Sequence, residues 1–197
     1  MRRAELDELH YITPIENVPS ILKTGILSNR NSRPHKPTSI AKQEVQDLRA
    51  KVQVPGGRAL HEYANLYICA RNPMMYVRAT LHEVTCVLRV STDVLDLPNV
   101  VITDQNAASN YRRFMAAPAG LEVVDREMVF ADDWRHQDNP PAYFRHRSVK
   151  CAEVLVPDAV PPKFILGAYV SGPVGHAALT KCAPKLTAVV NSHIFFR

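Results

Sequence analysis

The sequence predicts a mixed α+β fold in which packed β-sheets carry helices at their periphery. Three observations lead there. Of the 197 residues, 46% are hydrophobic and 22% charged, a globular balance that excludes disordered and fibrous classes. Strand-like and helix-like segments follow one another without strict alternation, which disfavours a doubly wound parallel sheet. Fifteen prolines against seven glycines imply fixed loops around short elements. At this length the chain reads as a single domain over 1–197, able to bury a core without metal or disulfide staples.

Taken in order, Leu9 to Ile12 reads as a short strand. Thr13-Pro14-Ile15-Glu16 then opens a helix, with Thr13 as N-cap, Pro14 at the first helical position and Glu16 completing a capping box. Gly25 closes it as a left-handed C-cap. Residues 28–38 are polar, basic and proline-broken, hence a loop. A helix from Ile40 to Lys51 follows, with Val45 and Leu48 as its apolar stripe, and Pro55-Gly56-Gly57 is a turn. Leu66 to Ala70 and Val84 to Val90 read as strands, with Asn72-Pro73 capping a short helix between them. Asp104 to Met115 is expected to be helical and 131–150 to be a loop. Cys151 to Val156, Phe164 to Val170 and Leu186 to Val190 complete the strands.

The net charge of +5 leans toward a polyanionic partner. The four cysteines form no C-x-x-C pair, so a reducing compartment, the cytoplasm, is expected, with neither a disulfide scaffold nor a metal site. No apolar run is long enough to span a bilayer, and the N-terminus carries charges where a signal peptide needs an apolar stretch. The Walker, G-x-G-x-x-G, H-E-x-x-H and G-x-S-x-G signatures are all missing. His10, His61 and His82 are candidates for catalysis, beside the plainer reading of each as structural.

Glu153 stands out because it interrupts an apolar strand, Cys-Ala-Glu-Val-Leu-Val. A carboxylate in a half-buried strand costs desolvation unless it is paired or used; the plainer alternative is an edge glutamate facing water. Basic groups interleave with aromatics at Tyr111-Arg112-Arg113 and at Tyr143-Phe144-Arg145-His146-Arg147 with Lys150. That mixture suits single-stranded nucleic acid, where cations hold phosphates and rings stack bases. A solvated positive face is the alternative, and Arg30, Arg33, His35 and Lys36 make a third basic group in the first loop.

Several segments, read in order, resemble the DarT family of DNA ADP-ribosyltransferase toxins. They are Tyr11-Ile12-Thr13, Asn17 through Leu22 with Gly25 to Ser28, Val45 to Arg49, Leu60 to Tyr63, Tyr67 with Arg71 to Tyr76, and Ala152 to Val156. The resemblance implies an ADP-ribosyltransferase fold, two packed sheets forming a cleft for NAD+ as co-substrate. It implies transfer of ADP-ribose to a base of single-stranded DNA, thymine or guanine, reversed by a macrodomain antitoxin of the DarG kind.

Carried over position by position, the family's catalytic glutamate falls on Glu153 and its catalytic arginine on Arg49, with Arg58 as second choice. A carboxylate can hold the ribose 2′-hydroxyl while stabilising positive charge at the ribose carbon. Arginine is a poor base, so holding pyrophosphate suits Arg49 better. Cofactor contacts fall on Tyr11, Ile12, Thr13, Ser20, Gly25, Leu27, Ser28, Tyr67 and Arg71. The family often has histidine one position later in the first strand, so either Tyr11 or His10 faces the nicotinamide ribose here. About 109–150 matches the family's substrate loop, which assigns Arg112, Arg113, Arg145, His146, Arg147 and Lys150 to DNA. Two other readings stand beside this one: a transferase using NAD+ on RNA or protein, and a basic single-strand-binding domain without catalysis.

Overall fold

The computed structural model describes residues 1–40 and 42–197. Ala41, inside the expected 40–51 helix, lies outside the described residues. The strands are β1 (Leu9–Pro14), β2 (Ile26–Leu27), β3 (Tyr63–Tyr67), β4 (Thr85–Val90), β5 (Val101–Thr103), β6 (Phe114–Ala116), β7 (Glu153–Pro157), β8 (Ala159–Val160), β9 (Ile165–Val170) and β10 (Ala188–Val190). The helices are α1 (Val18–Thr24), α2 (Asn29–Ser32), α3 (Gln43–Ala50), α4 (Pro73–Val77), α5 (Arg126–Phe130), α6 (Pro140–Val149) and α7 (Pro173–Cys182).

Eight strands form one sheet in the order β10-β9-β4-β1-β3-β7-β5-β6, and β2 pairs with β8 apart from it. The large sheet is nearly two. β1 pairs with β4 from Leu9↔Val90 to Pro14↔Thr85, and β3 with β7 from Tyr63↔Pro157 to Tyr67↔Glu153. Between β1 and β3 the register holds a single pair, His10↔Tyr67. The two expected sheets are therefore half-sheets joined at one residue pair. His10 reinforces the seam, its Nδ1 lying 3.2 Å from the Ile68 carbonyl.

Both halves bury their apolar faces in one core. Leu9, Leu88, Val90 and Val170 come from one half, and Ala64, Leu66, Ile102 and Val154 from the other. Val18 and Ile21 of α1 and Leu179 of α7 close it. Each of the larger side chains so buried stabilises the fold by about 1.5–3 kcal/mol relative to exposure.

Several expected elements change. β1 runs on through Pro14, so Thr13 is a strand residue and no capping box forms. A 3-10 turn at Ile15–Asn17 leads into α1, and the Thr13 hydroxyl accepts from Asn17 Nδ2 at 3.2 Å. Gly25 does end α1, at φ +87°, and a Cβ there would stand 2.3 Å from the Val160 carbonyl oxygen, so only glycine fits. The expected 104–115 helix is replaced by turns and β6. There the Asn106 side chain accepts from Ala108 N–H and the Asp104 carboxylate from Arg113 N–H, local bonds that compete with a helix. The expected 131–150 loop contains α6, which begins where Asn139 accepts from Ala142 N–H at 3.0 Å.

Candidate active site

Strand alternation prepares the site. Along β3, Ala64 and Leu66 enter the core while Tyr63, Asn65 and Tyr67 line a cavity on the opposite face. Glu153 stands opposite Tyr67 in the neighbouring strand β7 and is fully buried. Its carboxylate is held from two directions. Arg49, on the last turn of α3, donates Nη1 to Oε1 and Nη2 to Oε2, each at 3.0 Å, a bidentate fork. The Ala107 N–H adds a third bond to Oε1 at 3.0 Å.

The electrostatics follow from burial. Burial disfavours the Arg49 charge, but the Glu153 carboxylate more than compensates and raises the guanidinium pKa. The Tyr67 hydroxyl is pushed well above its ordinary value by burial and then by Glu153. Burial, with Glu153 adding to it, pushes the Cys151 thiol up to about 12, so this cavity-lining cysteine is no nucleophile at neutral pH.

The cavity encloses about 910 Å³, large enough for a dinucleotide. Arg33, Lys36, Lys42, Arg49, Arg78 and Arg147 line it, and no Asp or Glu does among the described residues. A cavity so charged attracts an anion carrying several phosphates. His61 lines it too, and burial, followed by Arg49 and Arg33, lowers its pKa and keeps it neutral at pH 7. His61 Nε2 and the Ser148 hydroxyl are buried without a hydrogen-bond partner among the described residues. Two unmet polar groups in a cavity wall are what a site shows when a polar ligand is to satisfy them.

The sequence-assigned residues divide. Tyr11, Ile12, Thr13, Leu27, Arg49 and Tyr67 line the cavity, and Glu153 sits behind Arg49. His10 is turned away, toward Ile68 and Glu8, which leaves Tyr11 as the cavity residue of that pair. Arg58 pairs with Asp158 at 2.6 Å, away from the cavity. Ser20, assigned to the cofactor, is exposed on α1, and Gly25 packs on Val160. Ser28 caps α2 by accepting from Asn31 N–H. Arg71 stacks over the Phe196 ring at 4.0 Å and donates to the His193 carbonyl, fastening the C-terminal segment.

The residues assigned to DNA divide as well. Arg145 and Arg147 are exposed, and Arg147 reaches the cavity. Arg113 is exposed but forked onto Asp104, and Arg112 donates to the Ser109 carbonyl. Lys150 and His146 need correction. The Lys150 ammonium is fully buried, donating to the Val129 and Ala131 carbonyls at 2.8 Å, and burial lowers its pKa. His146 is buried between His136 and the Met128 carbonyl. Neither can meet phosphate where it stands. Asn65, Lys42, Arg78 and Ser148 were not singled out from the sequence; the Tyr-x-Asn-x-Tyr alternation of β3 was the available signal for Asn65. Among the described residues no three His, Cys, Asp or Glu side chains gather as a metal site would need, and no helix is long and apolar enough to cross a membrane.

Known proteins share this fold and sequence. A family model described as ssDNA thymidine ADP-ribosyltransferase, DarT, matches residues 10–191. A DNA ADP-ribosyl transferase–DNA ADP-ribosyl glycohydrolase fusion protein of Thermosipho africanus is 35% identical over 176 residues, covering 83% of this chain and 42% of that protein. The chain thus spans less than half of that relative's length. Among solved structures, Thermus sp. 2.9 DarT in complex with ADP-ribosylated ssDNA superposes with a TM-score of 0.81 at 26% identity, covering 99% of each chain. The same Thermus protein in complex with NAD+ gives a TM-score of 0.76 at 25% identity, covering 97% of this chain and 98% of that one. With a family model matched over nearly its whole length, the chain belongs to the DarT family.

Proposed function

We propose that this protein transfers ADP-ribose from NAD+ to a thymidine base of single-stranded DNA. The observation that carries the reading is the buried Arg49–Glu153 fork at the wall of a large cavity lined by cations and, among the described residues, by no carboxylate. The family's description and the Thermus complexes with NAD+ and with ADP-ribosylated ssDNA support it.

The residues present fit NAD+. The cavity has the volume, its cations suit a pyrophosphate, and His61 and Ser148 offer unmet polar atoms. Arg49, together with Arg33 or Arg78, would hold the pyrophosphate, and Tyr11 and Tyr67 would pack on the nicotinamide riboside. The bond between nicotinamide and ribose supplies the chemistry, since its scission leaves positive charge at the ribose carbon. To Glu153 we assign the stabilisation of that charge and the hold on a ribose hydroxyl, for which Arg49, in front of the carboxylate in this structure, has to move aside. Arg49 orients the carboxylate and cannot itself accept a proton.

Such a modification blocks copying of the DNA, so the protein acts as a toxin in the cytoplasm. The Thermosipho africanus fusion of a transferase with a glycohydrolase supports a DarG-like macrodomain antitoxin that removes the product. The test is the intact mass of thymidine-containing oligonucleotides after incubation with protein and NAD+. A gain of one ADP-ribose, absent with Glu153→Ala, is expected. A folded protein that shows an NAD+ thermal shift but modifies only RNA or protein would overturn the substrate, and no shift at all would overturn the enzyme.

A further inference from the structure

A second depression lies beside the cavity. It encloses about 360 Å³ and is lined by Arg135, His136, Gln137, Pro140, Tyr143 and Phe144. Phe144 is 61% exposed and lines both the groove and the cavity, so one ring separates the two. The helix explains the continuity. Positions 140, 143, 144, 147 and 148 of α6 follow helical spacing and share a face. Pro140 and Tyr143 belong to the groove, Arg147 and Ser148 to the cavity, and Phe144 to both. From Tyr143 to Arg147 the axis advances about 6 Å, on the order of one nucleotide step.

The chemistry of the groove suits a nucleobase better than a phosphate. Its floor is aromatic, with the Tyr143 and Phe144 rings edge to face at 5.2 Å. Its one guanidinium, Arg135, is forked onto Asp133, with Nη2 to Oδ2 at 2.7 Å, so its charge is already answered. Gln137 offers an amide, and His136 is fixed at the rim by His146, whose other nitrogen donates to the Met128 carbonyl. The uncompensated cations lie just outside. Arg145 and Arg147 are exposed, and neither side chain has a hydrogen bond or ion pair among the described residues.

We propose that this groove binds the base of the nucleotide next to the one that is modified, stacked on Tyr143 and Phe144, while Arg145 and Arg147 hold the flanking phosphates. The groove thereby extends recognition one step along the strand, and it rests on the single-stranded-DNA reading above. Base–aromatic stacking is worth about a 5- to 150-fold change in affinity per base, and a loss of about tenfold is expected here.

The test is a cycle between protein and substrate. Wild type and Tyr143→Ala are each given an intact thymidine oligonucleotide and two versions carrying one abasic site, 5′ or 3′ of the target. Wild type should lose about tenfold in kcat/KM on one of the two abasic substrates. Tyr143→Ala should lose about tenfold on the intact strand and nothing further on that same abasic strand, Tyr143→Phe should restore the rate, and all three proteins should keep the same NAD+ thermal shift. Losses that multiply, or an abasic effect at neither position, would overturn the groove while leaving the transferase reading in place. A wild-type protein that modifies no oligonucleotide would overturn that reading and the groove with it.

Discussion

At the scale of single residues, the site is governed by what burial does to charge. Glu153 has no exposed surface and Arg49 almost none, so each is tolerable only because of the other. Removing one partner leaves an uncompensated buried charge, which costs about 3–5 kcal/mol. Glu153→Gln is therefore expected to abolish modification and also to lower the urea midpoint, whereas an unchanged midpoint would show that the pair is solvated. Lys150 and Arg147, three positions apart, separate structure from function in the same way. Lys150→Met strands two carbonyls and should cost about 1–3 kcal/mol of stability, whereas Arg147→Ala should leave the midpoint alone and slow DNA modification. Sequence reading grouped the two because both are cations in one basic run. Which cation turns inward is decided by the carbonyls of Val129 and Ala131, twenty residues away, and no local pattern contains that. Glu153 was legible for the opposite reason, since a carboxylate inside an apolar strand is a local anomaly.

At the scale of elements, the longer strands were the readable part. β1, β4, β7 and β9 each show apolar runs near the observed bounds, because burial, on both faces in β1, β4 and β7, writes itself into composition. β3 runs from Tyr63 to Tyr67 instead of the expected Leu66 to Ala70, and the short β2, β5, β6 and β8 were not read. α6 was not readable. Its outward face carries Tyr143, Phe144, Arg145 and Arg147, so no apolar stripe marks it, and Asn-Pro-Pro looks like a loop. In the fold those residues are an N-cap followed by prolines at the first helical positions, where missing N–H groups cost nothing. Asn139→Ala should then destabilise α6 by about 1 kcal/mol. Hydrogen exchange of amides 143–149 is the direct readout, with faster exchange confined to this helix; uniform acceleration across the domain would deny the cap a local role. Because α6 contributes Phe144, Arg147 and Ser148 to the cavity wall, the same variant should also weaken DNA modification.

At the scale of the whole molecule, the cavity sits where the two half-sheets part, with Tyr11 and Thr13 from one half and Tyr63, Asn65 and Tyr67 from the other. Among the described residues a single pair, His10↔Tyr67, joins them in register, so side chains around that pair carry more of the fold's integrity than their number suggests. Glu8 braces the β1 side of that seam. It accepts from Arg89 Nε of β4 at 2.7 Å and lies 3.3 Å from His10 Nε2. Burial opposes its charge, but hydrogen bonds from His10, Tyr169 and Arg89 outweigh that and hold the carboxyl down at about 2, against an ordinary 4.5. A carboxylate whose folded pKa is depressed contributes stability that is present above the unfolded value and lost as pH falls toward the folded one. Wild type should therefore lose stability between about pH 4.5 and 2, more steeply than Glu8→Gln, and the variant should be the less stable of the two at pH 7. Parallel stability curves for the two proteins across that window would remove Glu8 from this role. Arg89, His10 and Tyr169 all belong to the β10-β9-β4-β1 half, and Glu8 meets the other half through His10, so the Glu8→Gln protein should keep most of its NAD+ thermal shift at pH 7.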